Sequence, residues 1–149
     1  MNESSAGGST PTKREPAALT YPTVALLKAI LLAAGLLFGV WTTLRFAGGV
    51  DVEVYRGGVI GLFGATLAHL IGALAGAMLA TARGAANAYL ASTLVRFVLT
   101  PILAVSLYFL LLASAKAVLI GAAAGYLLIL VADIAAMLRA MQGSGTAPR

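Results

Sequence analysis

Three ionisable side chains, His69, Arg96 and Asp133, stand in long apolar stretches of this sequence, and any chemistry has to be sought there. A charge in hydrocarbon costs several kcal/mol, so intramembrane charges pair with one another or face a polar interior. Lys116 marks a short turn between the stretch that holds Arg96 and the one that holds Asp133. Arg96 stands 20 residues before Lys116 and Asp133 stands 17 residues after it. At the helical rise these separations are roughly 30 and 25 Å. On antiparallel neighbours the two charges reach similar depth, and an arginine side chain covers the remainder. Arg96 and Asp133 are therefore expected to form an intramembrane ion pair. Such a pair either fixes the register of the two segments or serves ion passage or partner docking. Separate snorkelling of the two charges to the interface is the remaining alternative.

His69, the sole histidine, lies 12 residues after Gly57, about 18 Å into its segment and so near the bilayer centre. It suits a neutral interhelical hydrogen bond, or else titration or cation ligation. No His, Cys or acidic residue stands three or four positions from it to complete a metal set. Tyr126 precedes Asp133 by seven residues and shares its helix side. With Tyr108 and His69 it makes a thin candidate polar seam. The sequence holds no G-x-S-x-G, no H-E-x-x-H, no P-loop and no clustered carboxylates, the signatures of common hydrolytic, metal and phosphate chemistry. The expectation is a protein that is not an enzyme, with no catalytic residues and no cofactor; a divalent cation at the seam is the one ligand left open.

The elements that must position these groups follow from composition. Of 149 residues, 60% are hydrophobic and 10% charged, against about 45–50% and 25% in soluble domains. The mean hydropathy is +0.97. So few charges cannot cover a water-soluble domain of 15.1 kDa. The net charge of +5 includes no cluster of four basic residues, so nucleic acid is not an expected partner. Cysteine is absent.

Four apolar stretches, residues 24–46, 57–82, 94–115 and 117–138, are each near the roughly 20 residues that span a bilayer as a helix. They lack the alternation of a barrel strand. The expected fold is an all-α integral membrane protein with four transmembrane helices in the lipid bilayer. Residues 1–23 read as a disordered tail rich in Ser, Gly, Thr and Pro, and residues 141–149 as a short polar tail. Residues 83–95 are only moderately apolar and read as a loop or an interfacial helical extension. Pro101, one turn inside the third stretch, is expected to kink it. The turn centred on Ser114-Ala115-Lys116 is expected to join helices three and four as a tight antiparallel hairpin.

The basic residues set the orientation. With both termini in the cytoplasm, that side holds seven of them: Lys13, Arg14, Lys28, Arg83, Arg96, Arg139 and Arg149. The outer side holds Arg45, Arg56 and Lys116. The positive-inside rule thus favours N-in, C-in. Trp41 and Tyr55 fall near the outer interface and Tyr21 and Tyr89 near the inner one, where amphipathic rings settle.

Small residues repeat at helical spacing. Gly57 and Gly61, and again Gly72 and Gly76, are G-x-x-x-G matches, and Gly121 and Gly125 repeat the pattern in the fourth stretch. Such faces let backbones approach closely where lipid supplies no hydrophobic drive. They serve either packing within the bundle or docking of another membrane protein.

The whole pattern resembles the ATP synthase protein I family of small bacterial four-helix membrane proteins. The resemblance covers about residues 24–140. It is carried by the Gly-rich entry Tyr55-Arg56-Gly57-Gly58-Val59-Ile60-Gly61, and by the basic residue of Leu94-Val95-Arg96-Phe97. It also rests on the short turn before Gly121-Ala122-Ala123-Ala124-Gly125-Tyr126 and on the late acidic residue Asp133. Some members carry an acidic residue one turn before that arginine; this chain has Ser92 and Thr93 there. The resemblance implies location in the bacterial inner membrane and a role in assembling or stabilising the c-subunit ring of F-type ATP synthase. It carries over Arg96 and Asp133 as the functional candidates. Magnesium or calcium transport is the alternative it implies, in which case a homo-oligomer is expected, since four thin helices hardly enclose a pore alone.

Overall fold

The computed structural model describes residues 21–143. They form four helices in sequence: α1 (Thr23–Phe46), α2 (Val52–Arg83), α3 (Ala85–Leu111) and α4 (Ala115–Gly143). All four are long and apolar enough to cross a membrane, which makes the chain a multi-pass membrane protein. The expected tail over 1–23 lies outside the described residues up to residue 20; Tyr21 and Pro22 lead directly into α1. The expected polar tail over 141–149 begins later, because α4 runs to Gly143; residues 144–149 lie outside the described residues.

Two boundaries differ from the hydropathy reading. α2 starts at Val52, five residues before the charge-free run. Glu53 sits in its first turn, where a carboxylate complements the helix dipole. α3 starts at Ala85, nine residues earlier than expected, so residues 85–93 are a helical extension of α3 and not a loop. Their polar members depress the hydropathy, yet Ser92 points inward with Ala85 and Ala88. α3 runs unbroken through Pro101.

α2 is the hub. It packs extensively on both α3 and α4, while α1 lies against α2 and α4. α3 and α4 are joined by a three-residue turn, residues 112–114, but touch each other only lightly. The expected tight hairpin is therefore a short turn between two helices that lean on α2 instead. Small residues are the reason. Gly57 and Gly61 lie against Ala117 and Val118 of α4, Gly121 lies on the backbone of Gly58, and Gly125 meets Leu62 and Ala65. On the α3 side, Gly64 faces Ala104 and Leu107. A methyl at Gly61 or Gly121 would overlap the backbone of the facing helix.

The outcome inverts a soluble core. Leucine, valine and phenylalanine side chains such as Leu32, Phe63, Phe97 and Val131 face outward, while Ala65, Ala68, Ala73, His69, Arg96 and Asp133 are buried. Lipid rewards close backbone approach rather than apolar burial. Two small apolar layers remain inside: Ile30, Ala33, Ala73 and Ile129, and Ala104, Val118 and Ala122 nearer the α3–α4 turn. Arg56 Nη2 donates to the Leu111 carbonyl at 3.3 Å, which gives the C-terminus of α3 a cationic partner.

Gly84 alone separates α2 from α3 at φ 78°, ψ 157°, a region open essentially only to glycine. Nothing lies within 4 Å of where its Cβ would stand, so the demand is purely one of backbone. Gly84→Ala is expected to cost about 1–3 kcal/mol. Gly35→Ala in α1, where no neighbour lies within 4 Å either and the backbone is helical, is expected to gain up to ~1 kcal/mol. Thermal unfolding of both variants in detergent checks the opposite signs.

Candidate functional site

One residue per turn of α3 points inward: Ala85, Ala88, Ser92, Arg96, Thr100 and Ala104. Spacings of three and four residues keep these side chains on one face. From α4, Ile129 and Asp133 enter the same layer, and α2 supplies Ala68, His69, Gly72 and Ala73. Arg96, the largest fully buried side chain, and Asp133 have no exposed surface. Arg96 Nη1 donates to Asp133 Oδ2. The structure thus joins α3 to α4 through a charged contact across the flank of α2.

Gly72 makes that crossing passable. A Cβ on Gly72 would fall 2.8 Å from Arg96 Nε and 3.0 Å from its Cδ, and it would overlap Cγ. The arginine stem lies in the notch left by the missing side chain. Ser92 Oγ, one turn earlier on α3, donates to the Gly72 carbonyl at 2.6 Å. Thr100 Oγ1 donates to the Arg96 carbonyl at 2.8 Å. Gly76, one turn further along α2, meets the Tyr21 hydroxyl and the Cβ of Ser92, so Tyr21 packs on the bundle at the end where α1 begins. The helix-packing glycines Gly57, Gly61, Gly72, Gly76, Gly121 and Gly125 are all spent on internal contacts.

His69 is fully buried. Its Nδ1 lies 2.8 Å from the Ala65 carbonyl. A carbonyl only accepts, so Nδ1 carries the proton and Nε2 bears the lone pair of the neutral ring. The imidazole lies 5.1 Å from the Tyr126 ring, and Tyr126 lies 6.4 Å from Phe97. The seam thus brings His69 and Tyr126 together, one to two turns from the ion pair. Tyr108 stands apart from them. It stacks edge-on with Phe109 at 4.9 Å and packs on the Ala104–Val118–Ala122 layer. The 12 residues between Arg96 and Tyr108 amount to about 18 Å, too far for one polar site.

Several polar atoms have no protein hydrogen-bond partner: His69 Nε2, Arg96 Nε and Nη2, Asp133 Oδ1, and the hydroxyls of Tyr21 and Tyr89. Among the described residues no three His, Asp or Glu side chains converge as a metal set. The arrangement can hold one charge pair out of lipid and can offer the lone pairs of His69 and Asp133 to a proton or cation. Sequence reasoning missed Gly72 as the arginine's notch, Ser92 as its neighbour and Tyr21 as the residue packed on Gly76. The polar Ser92 one turn before Arg96 was the available signal.

Breaking the pair from one side leaves a buried charge. Arg96→Ala and Asp133→Ala are each expected to cost about 3–5 kcal/mol, with the double substitution recovering part of the loss. Gly72→Ala alone is expected to cost about 1–3 kcal/mol by overpacking, and almost nothing in the Arg96→Ala/Asp133→Ala background. Unfolding temperatures across this cycle check the crossing; a Gly72→Ala cost equal in both backgrounds refutes it.

No protein-family model, no curated protein and no solved structure matches the chain.

Proposed function

We propose that this protein is a non-enzymatic accessory factor of the F-type ATP synthase membrane sector, aiding assembly or stability of the c-subunit ring. In this reading it sits in the bacterial inner membrane with both termini in the cytoplasm, as the distribution of basic residues favours. The synthase partner rests on the resemblance carried by Tyr55–Gly61, Arg96, Gly121–Tyr126 and Asp133.

One structural observation supports a docking role. An apolar cleft of about 470 Å³ lies between α3 and α4, lined by residues of these two helices alone. Phe97, Thr100 and Pro101 line one wall, and Ala122, Ala123 and Tyr126 line the other. Since the six glycines are occupied inside the bundle, this cleft takes over the role of docking face for a partner's apolar helix. The Arg96–Asp133 pair holds α3 and α4 at a fixed separation behind it.

The unpartnered His69 Nε2 and Asp133 Oδ1 favour a second reading, a subunit of an oligomeric magnesium or calcium channel or transporter.

Affinity purification of the tagged chain from its native membranes tests the first reading: the c-subunit ring is expected to co-purify. Ala123→Phe, at an exposed position of the cleft, is expected to reduce that capture several-fold without lowering expression. Absence of the ring from the wild-type eluate defeats the accessory reading. Capture undiminished by Ala123→Phe defeats the cleft as the docking face. Cation flux into liposomes that is lost in His69→Ala establishes the second reading instead.

A further inference from the structure

A second groove runs between α1 and α4, on a different side of the bundle, with a volume of about 840 Å³. Lys28 and Arg139 both line it, and no acidic residue does. Both are exposed, and the one salt bridge among the described residues is that of Arg96 with Asp133. The two cations share a level. Lys28 is five residues past the start of α1, and Arg139 is four residues before the end of α4. These offsets place them roughly 6–8 Å inside the helix ends, a depth from which long cationic side chains can reach a headgroup level. From there Ala29, Ala132 and Ala135 keep the groove open toward Leu36, eight residues or about 12 Å deeper.

We infer that this groove binds an anionic phospholipid, its phosphate held between Lys28 and Arg139 and one acyl chain laid along the alanines. Basic pockets between transmembrane helices suit lipid headgroups, and long cationic side chains reach the phosphate level while their stems stay in hydrocarbon. A second copy is a poor occupant. Inserted in the same orientation, it brings its own Lys28 and Arg139 to this level and carries Asp51 and Glu53 at the opposite end of the bundle. A lipid phosphate supplies the negative charge that the groove lacks. This site is independent of the synthase reading.

The full chain, reconstituted in phosphatidylcholine with and without phosphatidylglycerol, tests the site. Two measurements serve: the lipid retained after detergent extraction, by mass spectrometry, and the unfolding temperature. The wild type is expected to retain phosphatidylglycerol several-fold over phosphatidylcholine and to melt higher in the mixture. Lys28→Gln/Arg139→Gln is expected to lose both effects, and Lys28→Arg/Arg139→Lys to keep them. Arg83→Gln, at the same end but outside the groove, keeps them as well. Ala135→Phe, which fills the groove with both charges intact, loses retention and so tests the site even if the double Gln variant fails to fold. Equal retention of the two lipids by the wild type, or a preference that survives in the double Gln variant, overturns the site. So does a melting gain reproduced by inorganic phosphate over phosphatidylcholine alone, which marks a free-anion site. A change of oligomeric state in the double Gln variant in phosphatidylcholine also overturns it, in favour of a second copy.

Discussion

The guanidinium of Arg96 and the carboxylate of Asp133 meet with no exposed surface inside a four-helix bundle. Either charge alone would cost several kcal/mol at that depth, which favours keeping the pair formed. That cost explains the surroundings. Arg96 and Asp133 belong to helices that scarcely touch, so the arginine has to pass the hub helix to reach its partner. Gly72 provides the passage, and Ser92 anchors the α2 backbone beside it. Gly57 and Gly61 of α2 face α4, and Gly64 and Gly72 face α3, so both helices come close enough to α2 for the two charges to meet.

The four spans were legible because membrane helices announce themselves by length and composition. The pair was within reach of simple arithmetic: depth counted from Lys116 puts Arg96 and Asp133 at similar levels. The route between them was not. Counting along a hairpin assumes that sequence neighbours pack together, whereas α3 and α4 pack on α2. The spacing of Gly57, Gly61, Gly121 and Gly125 marks close approach but does not say which helix approaches. The start of α3 was hidden for a related reason. Hydropathy counts Asn87, Ser92 and Thr93 as polar wherever they point, yet Ser92 is buried against α2. Tyr108 was grouped with His69 by residue type, and only the distance along α3 separates them.

A pore through this bundle would have to run past the ion pair, and parting α3 from α4 would tear Arg96 from Asp133. Breaking a buried pair is costly because each charge then stands alone. A conducting path is more economical between copies than within one. The interior is better suited to holding shape than to moving ions, and a fixed shape is what a docking surface needs.

The outer faces then divide by chemistry. The cleft between α3 and α4 is almost wholly apolar, lined by Phe97, Pro101 and Tyr126, and suits an apolar helix. The groove between α1 and α4 ends in Lys28 and Arg139 and suits an anionic headgroup. Both grooves border α4, whose inner side is held by Gly121, Gly125 and Asp133. α4 is packed from within by these contacts while its other sides border two different grooves. The buried pair thus acts as a strut behind both grooves, the two surfaces on which the proposed recognition rests.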